Sequence, residues 1–303
     1  PQVLAQELRE RLQPLGRLPR RVIVGVPLNR VLVSAVHIPE MPGEEVPGFL
    51  RLQAEREFLL PPEDLRLGVS VAAPGQGSGN AVLAALEGRQ YANLERGLRL
   101  VGFREILAMP AAAAAAGDGT AVRLLAGTDG VDLVATLNGR VVFVRRLAAG
   151  TGDPTTTDAA LPALIGDLRI SLRQLPDDVR VGASTIEVIG HAESVDGLVA
   201  ALSQAHVSGS WPLQAVRAEH SVASFLCAQT ARRLAAGRDP DLVMVPVPLA
   251  HQANGLTRWR RPLAVAGGVA AGVVLIVAAL ALCQSRQLSS LRADWQSLSP
   301  RAE

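Results

Sequence analysis

Residues 121–147 read AVRLLAGTDGVDLVATLNGRVVFVRRL, a series of apolar, Val-rich runs. Asn138-Gly139 divides two of these runs, and this dipeptide is a strong signal for a two-residue hairpin turn. The stretch therefore predicts alternating strands that turn at Asn138-Gly139. Asp129 and Asp132 lie along the same strands, and we expect them to be solvated turn and edge residues rather than groups that orient a metal ion.

Helices and strands alternate on the C-terminal side of this hairpin. After a Thr/Pro-rich loop at 151–157, apolar residues at helical spacing predict a helix through Leu161, Leu164, Ile165, Leu168, Leu172 and Leu175. The segments TIEVIG (185–190), PLQAV (212–216) and DLVMVPV (241–247) predict strands. A helix around Val195–Leu202 and an Ala-rich helix over 219–236 lie between them.

The N-terminal side has the same mixed character. We expect a short helix over 3–15, a strand pair in RRVIVGVPLNRVLVSAVHIPEMP (20–42) and a polar helix within 44–65. A strand at 65–73 follows, and residues 81–103 predict a strand and then a helix. The tract MPAAAAAAGDG (109–119) fits either a linker or a tightly packed helix of small residues. The whole pattern is typical of an α/β protein.

A membrane-spanning segment is predicted near the C-terminal end. Residues 263–283 contain no charge, and as a helix they would be about 31 Å long, enough to cross a hydrocarbon core of ~30 Å. A buried core helix, the alternative reading, seldom runs this far without a polar face. Arg258, Arg260 and Arg261 precede the span, so the long N-terminal part is expected in the cytoplasm, with Trp259 at the inner headgroup level.

Two further patterns accompany the span. Ala264, Gly268 and Gly272 place small residues on one face, which permits close helix contact and a homodimer, although chance spacing in an Ala/Gly-rich helix explains them as well. Beyond the span, a leucine-rich seam fits either the start of a coiled coil or an interfacial amphipathic turn; its residues are Leu288, Leu291, Trp295 and Leu298.

Composition excludes several classes of function. The chain has 303 residues and a formal charge of +2, and all 30 basic residues are arginines, so no lysine can serve as a phosphate-loop residue or nucleophile. Aromatic residues make up only 3%, which gives no nucleic-acid signature. Two distant cysteines, together with histidines that lack HxxxH or HExxH spacing, predict neither a disulfide framework nor a metal site.

The order of these segments resembles the PilM family of type IV pilus assembly and the related cytoplasmic domain of GspL from type II secretion, which are actin-like proteins. The matching stretches are VIVGVPLNRVLVSAVHIPEMPGEE with RLQAEREFLLPPEDLRLGVSV, then TLNGRVVFVRRLAAG, LIGDLRISLRQL and TIEVIGHAESVDGLVAAL, and they extend over roughly residues 3–250. The membrane span makes the chain more similar to GspL, or to a fused PilM and PilN, than to free PilM. The resemblance implies an actin-like (duplicated RNase H-like) domain that is N-terminally incomplete, plus one transmembrane helix.

The chain departs from the family at its nucleotide-binding motifs. Actin-like proteins hold nucleotide with two Asp-x-Gly hairpins and a Gly-Gly loop, since backbone amides and Mg²⁺-orienting carboxylates must approach the phosphates. No first hairpin is visible, the second Asp position falls on Leu125 although Gly127 is kept, and Gly-Gly has become Gly190-His191. Gly127, Asp129 and Gly190 are thus the remnants of a degenerate site, and we expect no cofactor and no ATP hydrolysis.

These observations predict a bitopic inner-membrane protein that acts as a non-catalytic scaffold in a type IV pilus or type II secretion machine. We expect a first lobe at 1–118, a second lobe at 119–218, a return helix and strand at 219–257, the span at 263–283 and a short periplasmic tail at 284–303. Expected partners are other inner-membrane platform proteins and the cytoplasmic secretion or assembly ATPase, with no nucleic acid. The alternatives are an active actin-like ATPase that switches by nucleotide-driven domain closure and, less well supported, a membrane-anchored sugar-kinase relative.

Overall fold

The computed structural model describes residues 2–15, 19–72, 79–127, 130–147, 160–209 and 211–246. Its α-helices are α1 Gln2–Leu12, α2 Val46–Phe58, α3 Gly88–Val101, α4 Ala160–Arg173, α5 Asp177–Gly182, α6 Ala192–Gln204 and α7 Val222–Ala235. Its strands are β1 Arg21–Val26, β2 Leu32–Ile38, β3 Leu65–Val71, β4 Gly79–Glu87, β5 Glu105–Pro110, β6 Ala121–Gly127, β7 Gly130–Leu137, β8 Arg140–Arg146, β9 Ile186–His191, β10 Leu213–Ala218 and β11 Val245–Pro246.

A five-stranded mixed sheet contains the predicted hairpin. Its order is β10-β9-β6-β7-β8, in which β6, β7 and β8 are antiparallel neighbours, while β9 runs parallel to both β6 and β10. At the β7–β8 turn Asn138 has φ 51° and Gly139 has φ 79°. Positive φ at both central residues is the condition for the tight turn that this dipeptide predicts, so that prediction is confirmed.

The N-terminal strands belong to two further sheets. One is four-stranded, with the antiparallel order β11-β3-β4-β2, and the other consists of β1 and β5 in parallel. The expectation that residues 20–42 form a strand pair is therefore wrong as to pairing, although both strands exist. A 3₁₀ helix at Leu28–Arg30 separates β1 from β2, and it carries the chain from one sheet to the other instead of reversing it within a single sheet.

The Ala tract forms a buried 3₁₀ helix, Ala111–Ala115, rather than a linker. Ala112 to Ala116 are all buried, in a core cluster that also contains Val26 of β1, Met109 of β5 and Val134 of β7. Methyl side chains allow the backbones of neighbouring elements to come close, which larger side chains would prevent. The tract is thus the packing centre between strands of different sheets and α7, whose Leu226 joins the same cluster.

Amphipathic helices cover the outer faces of the sheets. Leu50, Ala54 and Phe58 of α2 are buried against the four-stranded sheet. Helices α4 and α6 bury their apolar faces against one side of the five-stranded sheet, as their sequence spacing predicts; the buried residues are Leu164, Leu168, Leu172, Val195, Leu198 and Leu202. The opposite side of that sheet contributes Leu125, Val134 and Ile189 to the cluster around the Ala tract.

Asp241 joins the four-stranded and five-stranded sheets. Its side chain is only 3% exposed. Oδ2 accepts hydrogen bonds from Ser70 Oγ of β3 at 2.6 Å and from the Val141 backbone N–H of β8 at 2.8 Å. Oδ1 accepts from the Leu242 N–H at 3.2 Å and from Arg140 Nη1 at 3.4 Å. A buried carboxylate with four donors fixes the segment before β11 between the two sheets.

Among the described residues, no helix has both the length and the apolar character needed to cross a membrane. The predicted span at 263–283 and tail at 284–303 lie outside the described residues. The flanking residues Arg258, Trp259, Arg260 and Arg261 lie outside them as well. The same is true of the predicted helix-contact residues Ala264, Gly268 and Gly272, and of the seam Leu288, Leu291, Trp295 and Leu298.

Candidate functional site

The structure brings two of the three remnant positions together. Gly127 ends β6 and Gly190 lies near the end of β9, the neighbouring parallel strand. Ala126 is paired with Gly190 in the register of these strands, so the two glycines lie on neighbouring strands and are offset by one residue. Asp129, the third position, lies outside the described residues.

Gly190 lies in a closely packed part of the sheet. A Cβ at this position would lie 3.2 Å from the Ala126 Cβ and 3.4 Å from the Val195 Cβ. The first distance is shorter than ordinary van der Waals contact, and the second lies at its lower limit. This glycine therefore has a packing role between β6, β9 and α6, whether or not it also approaches a ligand.

The next residue, His191, is exposed and stands at the N-cap position of α6. Its side chain makes no capping hydrogen bond, and its backbone carbonyl accepts a hydrogen bond from Ser194 Oγ at 3.2 Å. A histidine here places an imidazole at the start of a helix, where a second glycine would leave the backbone amides open to an anion.

Leu125 occupies the position at which the family motif has an aspartate. The side chain is 3% exposed and belongs to the core cluster around the Ala tract. An aliphatic side chain provides no oxygen to bind Mg²⁺ or to orient a water molecule. At this position the motif has a charged group and this chain has a buried apolar side chain.

The prediction made for Asp132 from the sequence is wrong. We expected a solvated turn or edge residue, but Asp132 lies on β7, an interior strand with β6 on one side and β8 on the other. Its Cα partners are Leu125 on β6 and Arg146 on β8. By strand alternation it shares a sheet face with Val134, the face that packs toward the Ala tract.

The carboxylate of Asp132 is in an unfavourable environment. Its Oδ1 atom is fully buried and has no hydrogen-bond partner among the described residues. Burial raises the pKa of the Asp132 carboxyl from 3.8 to about 6, while the positive charge of Arg146 acts in the opposite direction. The chain therefore keeps one acidic group directly opposite Leu125, on the same sheet face.

A signal for this placement was present in the sequence. Val131, Leu133 and Ala135 are apolar on one face of β7, and Val134 is apolar on the other. On that second face Val134 lies between Asp132 and Thr136, so a single apolar residue indicated that this face is covered as well.

Two arginine side chains fix the end of the Ala tract beside the sheet face that carries Leu125 and Asp132. Arg123 of β6 donates to the Ala115 carbonyl at 2.8 Å and pairs with Glu187 of β9 at 2.6 Å. Arg233 of α7 donates to the carbonyls of Ala116 and Gly139 at 2.9 and 3.2 Å. These contacts hold the tract, the hairpin turn and α7 together.

The described residues contain no cluster of three or more His, Cys, Asp or Glu side chains that could hold a metal ion. Asp132 has no second carboxylate as a partner in its register, since its neighbours are a leucine and an arginine. Within the described residues, the arrangement can accept a hydrogen-bond donor or a proton at Asp132, but it provides no complete set of metal ligands.

Comparison with known proteins identifies the fold. No protein-family model matches the sequence, and no curated protein sequence matches it. Among solved structures, the chain is similar to one described as the PilM-PilN type IV pilus biogenesis complex, with a TM-score of 0.52 and 20% identity over 71% of this chain and 75% of that one. The described part therefore has a PilM-like, actin-like fold, and the resemblance found in the sequence motifs is confirmed at the level of fold.

Two more distant structures are also similar. The cytoplasmic domain of EpsL, an inner membrane component of the type II secretion system of Vibrio cholerae, gives a TM-score of 0.46 and 13% identity over 75% of this chain and 80% of that one. A protein of unknown function with an actin-like ATPase fold from Bacteroides thetaiotaomicron gives 0.41 and 8% over 74% and 80%.

Proposed function

We propose that this chain is a non-catalytic platform component of a type IV pilus or type II secretion machine at the bacterial inner membrane. In this role the actin-like domain docks cytoplasmic partners, and the apolar segment at 263–283 anchors the chain. Its partners are other inner-membrane platform proteins and a cytoplasmic assembly ATPase. The observation that carries the proposal is the fold shared with the protein of the PilM-PilN complex.

The absence of catalysis in this proposal rests on Leu125. A buried aliphatic side chain stands where the family motif has its aspartate, and His191 stands where the motif has a second glycine. Binding of a nucleoside triphosphate requires backbone amides and metal-orienting oxygens at these two places. Both are altered in ways that oppose binding.

The test is a nucleotide titration of the purified full chain in a mild detergent. A ligand that binds the native state at fifty times its Kd stabilises it by about 2 kcal/mol and raises the melting temperature. We expect no change of melting temperature with Mg-ATP at millimolar concentration, and phosphate release at the background rate. Micromolar binding of ATP, or turnover above background, would overturn the non-catalytic assignment.

The active ATPase is the second candidate, and the placement of Asp132 favours it. This carboxylate lies opposite Leu125 on an interior strand, where it could take over the role of the missing aspartate. If that were so, Asp132→Asn would abolish nucleotide binding while the protein stayed folded. If the scaffold assignment is correct, the variant leaves the absence of a nucleotide effect unchanged and alters only stability.

A further inference from the structure

Arg66 is held in a fixed position between three strands and a helix. It lies on β3, with Leu86 of β4 and Pro246 of β11 as its Cα partners. Its guanidinium carbon is 5.2 Å from the centroid of the Tyr91 ring on α3. Tyr91 is itself fixed, because its hydroxyl donates a hydrogen bond to the Ile106 carbonyl at 2.9 Å.

Arg66 forms no ion pair with a carboxylate in the part of the chain that the structure describes. Several other arginines pair with a carboxylate within 4 Å: Arg21 with Glu105, Arg99 with Glu95, Arg123 with Glu187, Arg140 with Asp241 and Arg217 with Asp196. Arg66 has no hydrogen bond at its fully buried Nε. The residue as a whole is half-buried, and its terminal nitrogens are not among the buried atoms that lack a partner.

The contact with Tyr91 and the unpartnered Nε together favour binding of an anion at Arg66. The attraction between a cation and an aromatic ring is modest, and it does not replace hydrogen-bond acceptors. Arg66 has lost part of its hydration through the buried Nε, and the ring restricts the directions in which its fork can point. A preorganised, poorly hydrated guanidinium loses little conformational entropy on binding, so it gains more from a carboxylate than a mobile surface arginine does.

We propose that Arg66, positioned by Tyr91, is the anchor for the carboxylate of an aspartate or glutamate side chain on a protein partner. The carboxylate binds end-on, with one oxygen on Nη1 and the other on Nη2, the planar pairing that guanidinium groups favour. The charges of Glu95, Arg66 and Arg99 all act on Tyr91. Glu95 pairs with Arg99 at 2.7 Å, so Arg66 is the unpaired charge of these three and suits a monoanion. The inference rests on the proposed function only in assigning the carboxylate to a docking partner.

The test observes Arg66 directly by NMR. The full chain in detergent micelles, labelled with ¹⁵N at arginine Nε, is titrated with the peptide acetyl-Gly-Glu-Gly-amide and, separately, with acetyl-Gly-Gln-Gly-amide. A buried Nε–H exchanges slowly with water, and its signal is assigned by its loss in Arg66→Lys. We expect a saturable shift with the Glu peptide and binding at least about tenfold weaker with the Gln peptide.

Matched variants separate positioning from folding. Tyr91→Phe keeps the ring but loses the hydrogen bond that fixes it, so it binds the Glu peptide less than about twofold more weakly than the parent protein. Tyr91→Leu removes the ring and weakens binding by about threefold or more. Arg96, exposed on α3, provides a control in Arg96→Lys, which changes nothing. Circular dichroism checks that each variant is folded.

Three results would each overturn the proposal. The first is an Arg66 signal that does not move at about 50 mM Glu peptide. The second is an equal shift with the Gln peptide, and the third is tighter binding of inorganic phosphate than of the Glu peptide. None of these results bears on nucleotide binding, so failure of this anchor is distinguishable from failure of the scaffold assignment.

Discussion

Replacing Asp132 by asparagine is expected to stabilise the protein in a pH-dependent way. The folded state raises the pKa of this carboxyl from 3.8 to about 6, so the folded state binds the proton more tightly than the unfolded state does. The stability linked to this proton is therefore complete below the unfolded pKa and is lost as the pH rises through the folded pKa. At neutral and alkaline pH the ionised carboxylate destabilises the native state.

The magnitude follows from the two pKa values. Their difference corresponds to about 3 kcal/mol at pH 8, where the carboxyl is ionised in both states, and to about 1 kcal/mol at pH 4.5. Asparagine has nearly the same shape and does not ionise, but its Oδ1 still lacks a donor. That residual penalty is the same at both pH values, so the diagnostic quantity is a gain in stability that is about 2 kcal/mol larger at pH 8 than at pH 4.5.

The assay is urea denaturation of parent and variant in the same detergent at both pH values, followed by circular dichroism. Asp239→Asn, the same substitution at an exposed residue, is the control. A gain for Asp132→Asn that is equal at pH 4.5 and pH 8 would refute the reasoning, since it would mean that the carboxylate is solvated or paired in the folded protein.

Three further changes test the packing. Leu59 ends α2 with φ 51° and is 89% exposed, so Leu59→Gly should stabilise the protein by about 0.5–1 kcal/mol in urea denaturation; a loss of stability would contradict this. Asp241→Ala removes the acceptor of four buried or part-buried donors and should destabilise the folded protein by about 3 kcal/mol or more. Its control is Asp118→Ala at an exposed ion pair, which should change the urea midpoint little. Equal effects of the two substitutions would show that Asp241 does not join the sheets. Gly68→Ala would place a Cβ 2.4 Å from the Leu242 carbonyl oxygen and should lower the melting temperature sharply, whereas Gly48→Ala, with nothing within 4 Å and inside a helix, should raise it slightly.

Local features of the fold could be predicted from sequence, and pairing between distant segments could not. The turn at Asn138-Gly139 needs only two residues with positive φ, and the α4 and α6 faces follow from helical spacing. The partners of β1 and β2 are set by β5 and β4, far along the chain. Two neighbouring Val-rich runs predict strands, but they do not determine which strands they pair with.

The candidate site was predicted only in part, because burial is a property of the whole fold. Gly127 and Gly190 were recognised from motif spacing, and the parallel pairing of β6 with β9 explains why they are neighbours. Asp132 was misread because an isolated Asp usually marks solvent. Arg66 gave no signal at all, since the absence of a partner appears only when β3, β11 and α3 are assembled.

The position of Asp241 has a mechanical consequence for a chain that continues beyond residue 246. Tension applied from that side first meets β11, two residues paired with β3, and then the isolated bridge between Met244 and Ala108. Two paired residues and one bridge contribute few hydrogen bonds, so we expect them to break at low force. The pull then reaches the Asp241 carboxylate, which accepts hydrogen bonds from four donors. Tension on the residues after 246 therefore detaches β11 from the edge of the four-stranded sheet before it acts on the remaining strands.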